Sequence, residues 1–352
     1  MSWLDTPACA LLGVRYPIVQ TGMGWVSGAR LTAATSEAGG FGILAAVTLD
    51  PEAMVAAVRR VSKRTSAPFG VNLRPDQPDL AERIDLLAAE GVSVVSFAGG
   101  PRADVIRRVH DVGMRSIVTV GRPRHAEKML AAGADLLLAQ GAEGGGHTGD
   151  IATSLLLPAV VDLAQGRVPV LAAGGFCDGR GLAAAIAWGA DGVAMGTRFL
   201  LTRESRVPDV VKRRYLDSEL SDSVVSRALD GQPMRVLPNE AFTAAQRPAG
   251  WRRPADTVHN AARVRKMTGQ SWFELAREGL TLRRRAGLSL AQVSRAADSP
   301  MLVKAALVDG DPVHGLLPTG QVAGALHDEP TVAELIQAII AEAERVARRF
   351  QG

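Results

Sequence analysis

Eight short apolar runs recur along the first two hundred residues, and they constrain the fold of this chain more than any other feature. They occupy residues 17–23, 41–46, 69–73, 92–99, 115–120, 136–141, 168–175 and 192–199. The runs are nearly continuous in hydrophobicity, which is typical of parallel strands that are covered on their outer face. Stretches with helical periodicity, such as "ARLTAATSEA" and "GLAAAIAW", lie between them. The pattern therefore predicts repeated strand–helix units around a parallel sheet.

Repeated strand–helix units build either an open, doubly wound sheet or a closed barrel. Eight strands within about 200 residues favour the barrel. Glycine and polar residues also follow many of the runs, whereas an open sheet gathers its ligand site at one switch point. The segment "GMGWVS" (22–27) fails as a dinucleotide-binding fingerprint, because Ser27 stands at the third glycine position. We therefore predict the α/β class and a (β/α)8 TIM barrel.

The chain continues well beyond the eighth run. We expect residues 1–202 to form the barrel and residues 203–330 to form a mostly helical addition near its mouth. Residues 331–352 carry an apolar stripe at helical spacing, and Thr331 and Glu334 have the spacing of a capping box. We expect an amphipathic helix here that packs on the barrel or on a partner subunit, so a monomer and a homodimer are both open.

Charge and composition exclude several classes of partner. Residues 203–300 carry seven more Lys and Arg than Asp and Glu, which suits either a solvated face or a phosphate-bearing ligand. Aromatic residues make up only 4% of the chain, so a nucleic-acid surface built on base stacking is not expected. No apolar stretch is long enough to span a bilayer, and Cys9 and Cys177 lack metal-ligand spacing. We expect a cytoplasmic protein with no membrane, nucleic-acid or metal partner.

Glycines follow the last two runs, where barrels commonly bind phosphate. Gly174 and Gly175 end the seventh run, and Gly196 and Thr197 lie in the eighth. Backbone N–H groups of these two loops often hold a phosphate, and a threonine hydroxyl adds a donor. Tight turns without a ligand are the alternative. The pattern favours a ligand with a phosphate group.

Three other runs end in residues that suit a flat ligand. The first run leads into "TGMG" (21–24), and the third contains Asn72, which is either a ligand contact or a turn cap. The sixth leads into "QGAEGGGHTG" (140–149), where three consecutive glycines precede His147. Glycines let a group approach the backbone closely, and histidine exchanges protons near neutral pH. His147 is therefore a candidate general acid or base, with a structural histidine as the alternative.

Taken in order, these segments resemble the nitronate monooxygenase family of FMN-dependent TIM-barrel flavoproteins, which includes enoyl and quinone reductases. The segments are "PIVQTGMGW", "PFGVN", "QGAEGGGHTG", "AAGGFCDGRGLAAAIAWGADGVAMGTRFL" and "TGQVAG". The resemblance covers nearly the whole chain and implies that His147 is the active-site histidine. The FMN contacts that it implies are Gly22, Met23, Gly24, Asn72, Gly145, Gly146, Ala173, Gly174, Gly175, Gly196, Thr197 and Gln321.

The sequence departs from the family pattern at two positions. Gly22 stands where many nitronate-oxidising members have proline, and Thr119 stands where some have lysine. Both departures weigh against a nitronate substrate. The arginine-rich segment is similar to that of actinobacterial flavoproteins of steroid-ring degradation, whose intermediates are CoA thioesters. We therefore expect an FMN-dependent oxidoreductase that reduces or introduces a double bond in a CoA thioester, with NADH or NADPH as candidate reductants.

Three other functions stay open at this point. The first is a nitronate monooxygenase that oxidises alkyl nitronates with O2, with His147 as base or anion partner. The second is an NAD(P)H:quinone reductase, and the third is a non-catalytic FMN-binding protein. If the substrate carries CoA, the CoA phosphates are expected to bind either the pair Arg213 and Arg214 or the pair Arg252 and Arg253.

Overall fold

A computed structural model describes residues 3–229, 231–246 and 290–350. Eight parallel strands close into a barrel, as predicted, in the order β1-β2-β3-β4-β5-β6-β8-β9. These strands are β1 (Ile18–Gln20), β2 (Phe41–Ala45), β3 (Phe69–Leu73), β4 (Val94–Phe97), β5 (Arg115–Val120), β6 (Leu136–Gln140), β8 (Val170–Ala173) and β9 (Gly192–Met195). The two-residue strand β7 (Gly146–His147) lies outside the barrel.

Helices alternate with the barrel strands. Those before residue 201 are α1 (Pro7–Leu12), α2 (Ala29–Glu37), α3 (Pro51–Ser62), α4 (Leu80–Ala89), α5 (Ala103–Asp111), α6 (Pro123–Ala132), α7 (Thr153–Ala164), α8 (Gly179–Ala187) and α9 (Thr197–Leu200). Alternate strand residues, such as Phe41 with Ile43 and Leu136 with Leu138, form one buried cluster with Ala8 of α1. Because side chains alternate across a strand, this cluster lies on one face of the closed sheet, and it is the barrel core.

The described residues group into two compact units. The barrel unit comprises Met1–Gly144, Thr148–Arg206 and Leu326–Gly352, and the second unit comprises Gly145–His147 and Val207–Ala325. The second unit therefore includes three residues from the loop that follows β6. The predicted boundaries at residues 202 and 330 stay predictions.

The second unit contains a small antiparallel sheet that the sequence analysis did not predict. Strand β11 (Met234–Leu237) pairs with β10 (Val224–Ser226), β12 (Leu317–Pro318) and β7. The helices described here are α10 (Asp209–Leu216), α11 (Glu240–Gln246) and α12 (Leu290–Leu307). The buried side chains of Leu229, Met234, Val236, Phe242 and Leu316 form the core of this unit.

The last helix, α13 (Val332–Ala347), packs on the barrel helices α8 and α2. The capping box forms as its spacing predicts, with the Thr331 hydroxyl accepting from Glu334 N and the Glu334 carboxylate accepting from Thr331 N. At Gly179 of α8, an added Cβ would overlap the backbone of α13 at Ile339 and Ala343. A glycine at this position therefore permits the close approach of the two helices.

Asp135 joins the start of β6 to β5 at the amino ends of the strands. Its carboxylate accepts from Ser116 N at 2.8 Å and from Ser116 Oγ at 2.9 Å, and it lies 2.8 Å from His110 Nε2 and 3.1 Å from an Arg115 nitrogen. Burial alone would raise the pKa of Asp135, but these hydrogen bonds outweigh burial and lower it. The ionised form of Asp135 therefore stabilises the fold.

Asp135→Asn should lower the free energy of unfolding at pH 7 by about 1–3 kcal/mol, because an amide cannot accept all of these bonds. Since the pKa of Asp135 is lowered by folding, its contribution is present above the ordinary carboxyl pKa of about 3.9 and is lost as pH falls through the folded value. Thermal unfolding at pH 7 and at pH 3 measures both effects. Asp85→Asn, which breaks an exposed ion pair with Arg108, is the matched control. Equal melting temperatures for Asp135→Asn and the wild type at pH 7 would contradict this account.

Candidate functional site

The turn after β8 is built from two glycines in the left-handed region. Gly174 has φ +89° and Gly175 has φ +88°, conformations that favour glycine. At Gly174 an added Cβ would also lie 3.0 Å from both Gly141 O and Gly144 N, whereas Gly175 is exposed. The turn thus presents open backbone at the carboxyl end of a barrel strand.

The turn after β9 lies at the same end of the barrel. Ala173 of β8 is paired in register with Ala194 of β9, and Gly196 then leads into α9, whose first residue is the buried Thr197. An added Cβ at Gly196 would lie 3.2 Å from Thr21 Oγ1 and 3.3 Å from Met23 Sδ. The structure therefore brings the two predicted phosphate turns to neighbouring strands, next to the loop after β1.

A buried amide organises the loop after β1. Gln20 is fully buried, and its Nε2 donates to Ser27 Oγ at 2.8 Å and to Ile43 O at 3.2 Å. Ser27 Oγ accepts from Met23 N at 2.9 Å and lies 2.8 Å from Thr21 O. These bonds fold residues 21–27 back over the end of β1. Neither Gln20 nor Ser27 was predicted to organise the site, although a glutamine inside an apolar run is a signal that could have indicated Gln20.

Gly22 and Asn72 pack directly against each other. An added Cβ at Gly22 would overlap Cβ of Asn72, so only glycine fits here. Asn72 is buried and donates from Nδ2 to Ser96 O at 3.1 Å. Proline also carries a Cβ, so proline would not fit at position 22 in this packing. Gly22 and Asn72 thus each have a structural role within the barrel unit.

The three glycines before His147 divide between the two units. Gly144 belongs to the barrel unit, where an added Cβ would lie 2.7 Å from Gln140 Nε2. Gly145 belongs to the second unit, where an added Cβ would lie 2.5 Å from Gly320 N. Gly146 has φ +65° and open space around it. The chain's own packing therefore requires two of the three glycines, and their predicted role beside a planar ligand stays a prediction.

His147 is carried by the second unit. It pairs with Met234 of β11 in antiparallel register, and its side chain is exposed. Gln321 begins a short 3-10 helix of the same unit, Gln321–Ala325, directly after Gly320. The structure thus places Gly145, Gly146, His147 and Gln321 in the second unit. The other predicted site residues, Gly22, Met23, Gly24, Asn72, Ala173, Gly174, Gly175, Gly196 and Thr197, lie in the barrel unit.

A pair of side chains that the sequence analysis missed lies beside the β8 turn. The Glu143 carboxylate accepts from Thr153 N at 3.0 Å and from Thr153 Oγ1 at 2.7 Å. Thr153 Oγ1 also lies 2.9 Å from Gly174 O. No sequence spacing indicates these contacts. The fold brings Thr153, at the start of α7, next to both Glu143 and the turn after β8.

The first turn of α8 is occupied by carboxylates of the protein. Asp178 accepts from Gly181 N at 2.9 Å, and Glu342 of α13 accepts from Gly179 N at 2.9 Å. Helix amino ends favour anions, but these donors already have partners. These N–H groups of α8 are therefore occupied by the protein's own carboxylates.

Cys177 lies between the glycine turn and Asp178. Burial, together with the Asp178 carboxylate, raises the pKa of the Cys177 thiol to about 11. Because the thiolate is the reactive form, the thiol should be inert at neutral pH.

In a Cys9→Ala variant, iodoacetamide should alkylate Cys177 at pH 8 about two orders of magnitude more slowly than an ordinary exposed thiol. The rate should rise about tenfold per pH unit towards pH 11, since each unit raises the thiolate fraction tenfold. Mass spectrometry of timed aliquots gives the rate, and the same variant unfolded in urea is the control. Alkylation at equal rates in the folded and the unfolded protein would refute the account of Cys177.

The remaining predictions about binding groups concern arginines, metals and membranes. Arg213 and Arg214 lie exposed on α10, whereas Arg252 and Arg253 lie outside the described residues. Within the described part of the chain, no three His, Cys, Asp or Glu side chains are grouped as a metal would require. A search of the same residues finds no helix long and apolar enough to cross a membrane.

A closed barrel of eight parallel strands that alternate with helices places the chain in the (β/α)8 class of folds. The family model for nitronate monooxygenase matches residues 5–86 and 80–342, and the chain belongs to this family.

The relatives extend over nearly the whole chain. It is 50% identical over 341 residues to the (3aS,4S,5R,7aS)-5-hydroxy-7a-methyl-1-oxo-octahydro-1H-indene-4-carboxyl-CoA dehydrogenase of Mycobacterium tuberculosis, covering 97% of this chain and 96% of the relative. The dehydrogenase of the same name from Rhodococcus jostii is 48% identical, with 97% of each chain covered. The solved structure of FabK from Thermotoga maritima has a TM-score of 0.78 at 32% identity and covers 99% of each chain. The predicted fold, family and enzyme class are confirmed, and the chain is an oxidoreductase of this family.

Proposed function

We propose that the protein is an FMN-dependent dehydrogenase of a bicyclic carboxyl-CoA thioester. The observation that carries the proposal is the 50% identity, over 97% of the chain, to a dehydrogenase named for such a thioester. The two chains match over nearly their full lengths, so the likeness extends beyond the barrel into the second unit. The exposed Arg213 and Arg214 are candidate partners for the phosphates of CoA.

The barrel unit fits the phosphate of FMN. Gly175 is exposed, and among the described residues its N–H has no acceptor. Gly196 packs closely on Thr21 and Met23 of the loop after β1, and Thr197 follows it at the start of α9. We assign the phosphate to Gly174, Gly175, Gly196 and Thr197. The remaining predicted contacts, from Gly22 to Gln321, stay proposals for the rest of the cofactor.

FMN, when bound, supplies a two-electron acceptor. Loss of two hydrogens beside a thioester also requires a base for the proton on the α carbon, and we assign this proton to His147. The ring of His147 is exposed, so a substrate can reach it, and pairing with Met234 fixes its backbone. Gln321 is part of the same unit and is proposed to orient the reacting groups.

Nitronate oxidation with O2 is the second candidate, and the match to the nitronate monooxygenase family model favours it. Gly22 and Thr119 weigh against it, as does the identity to the CoA-thioester dehydrogenases. NADH and NADPH are proposed reductants for the reverse reaction. A cytoplasmic location, and a monomeric or homodimeric state, stay proposals.

Anaerobic absorbance spectroscopy tests the proposed function directly. The octahydroindene carboxyl-CoA thioester should bleach the flavin absorbance at about 450 nm. The bleaching should take about a second or less, which is the time of one turnover in a typical enzyme. The free acid, which lacks CoA, is the matched control and should bleach it far more slowly. Rapid O2 consumption with an alkyl nitronate, without bleaching by the thioester, would favour the second candidate instead.

Gly196→Val should weaken FMN binding, because its side chain would press on Thr21 and Met23 and displace the turn assigned to the phosphate. The φ of Gly196 is −105°, so a side chain causes no backbone strain there. We expect the dissociation constant for FMN to rise at least about tenfold, in line with a lost charged hydrogen bond. Gly28→Val is the control, since an added Cβ at Gly28 meets nothing within 4 Å. A Gly196→Val protein that is purified with a full complement of FMN would exclude this phosphate site.

His147→Ala should keep FMN and lose turnover, because its ring is assigned to the substrate and not to the cofactor. Removal of one general base costs about 10²–10⁴-fold in rate. Steady-state kinetics and the flavin content of the purified protein measure the two effects separately. His314→Ala, which removes another exposed histidine of the second unit, should leave both unchanged. Full turnover in His147→Ala would make His147 a structural residue.

A further inference from the structure

The first turn of α7 lacks an N-cap of its own. Its N-cap residue is Ala152, which has no side-chain acceptor, and Glu143 accepts the Thr153 N–H instead. The same carboxylate lies 2.7 Å from the Thr153 hydroxyl. Glu143 thus holds both the backbone and the side chain of Thr153.

Thr153 is also confined by its neighbours. It is buried, and an added Cβ at Gly141 would overlap its hydroxyl oxygen. Its hydroxyl lies 2.9 Å from Gly174 O, and it has one proton to share between this carbonyl and Glu143. The carbonyl of Gly174 is therefore fixed on the side of the turn that faces α7.

The direction of this carbonyl determines the direction of the next N–H. No cis peptide bond occurs among the described residues, and in a trans peptide the C=O and the following N–H point in opposite directions. Since Gly174 O faces Thr153, the Gly175 N–H faces away from it. Gly175 is exposed, and within the described part of the chain no group accepts this N–H.

We propose that Thr153 and Glu143 are positioning residues that aim the Gly175 N–H at the phosphate of the cofactor. Glu143 orients Thr153, Thr153 holds the Gly174 carbonyl, and the peptide group presents its N–H as a fixed donor. A flexible diglycine would otherwise lose conformational entropy on binding the anion. This inference rests on the proposed FMN site.

The test compares FMN with riboflavin, which lacks the phosphate. Flavin-fluorescence titrations give both dissociation constants for the wild type, Thr153→Val and Thr153→Ser. In Thr153→Val we expect the constant for FMN to rise about tenfold while that for riboflavin stays within about twofold, because only the phosphate contact is lost. Thr153→Ser keeps the hydroxyl and should restore the preference for FMN. Thr65→Val is the matched control, since Thr65 bonds Glu37 elsewhere in the barrel unit.

Glu143→Ala provides a second test should Thr153→Val fail to fold. It removes the acceptor that anchors Thr153 N at the start of α7, so the Thr153 hydroxyl would lose its fixed place beside Gly174 O. The preference for FMN over riboflavin should therefore fall, as in Thr153→Val. In Glu143→Gln, the amide oxygen still accepts from Thr153 N and the amide nitrogen donates to the Thr153 hydroxyl. The preference of this variant for FMN over riboflavin should therefore match that of the wild type.

Two outcomes overturn the inference while the proposed function stands. The first is an unchanged ratio of the FMN and riboflavin dissociation constants in Thr153→Val and Glu143→Ala. The second is an equal loss of affinity for both flavins in these variants. A wild-type protein that binds neither flavin would overturn the proposed function itself, and the inference with it.

Discussion

Backbone hydrogen bonds between β1 and β9 join the two ends of the barrel sheet. Ile18, Val19 and Gln20 pair with Val193, Ala194 and Met195, and Thr21 N continues the pattern to Met195 O at 3.1 Å. Because of this closure, the loop after β1 lies against the turn after β9, and Gly196 can approach Thr21 and Met23 closely. An open sheet would leave these loops at opposite edges. The candidate phosphate site depends on closure more than on any one side chain.

The sequence was sufficient to predict the barrel, because each strand contributes an apolar run and each turn contributes glycine. It was less informative about where strands end. The first strand was predicted to reach residue 23, but β1 ends at Gln20 because Gln20 and Ser27 fold the following loop back. The eighth was predicted to reach residue 199, but α9 begins at Thr197. Polar contacts between residues distant in the sequence determine where these strands end. The hydrophobic periodicity of the sequence carries no information about such contacts.

The candidate site shows the same limit. The glycines after β8 and β9 could be predicted because their positions in a barrel are known in advance. The contact between Glu143 and Thr153 could not be predicted, since the two residues lie ten positions apart and no regular element joins them. The small sheet of the second unit was missed because its strands have two to four residues, too few for an alternating pattern.

The pairing of β7 with β11 also sets the order in which this chain can be completed during synthesis. His147 leaves the ribosome soon after β6, but its partner Met234 is made much later, and Thr319 and Gly320, which pack on Gly145, later still. The strand that carries His147 therefore stays unpaired while the barrel strands β8 and β9 are made. The barrel can assemble first from its own sequential neighbours, as contacts between adjacent units form early. The backbone of His147 would then be held in its antiparallel pair only after β11 has been made.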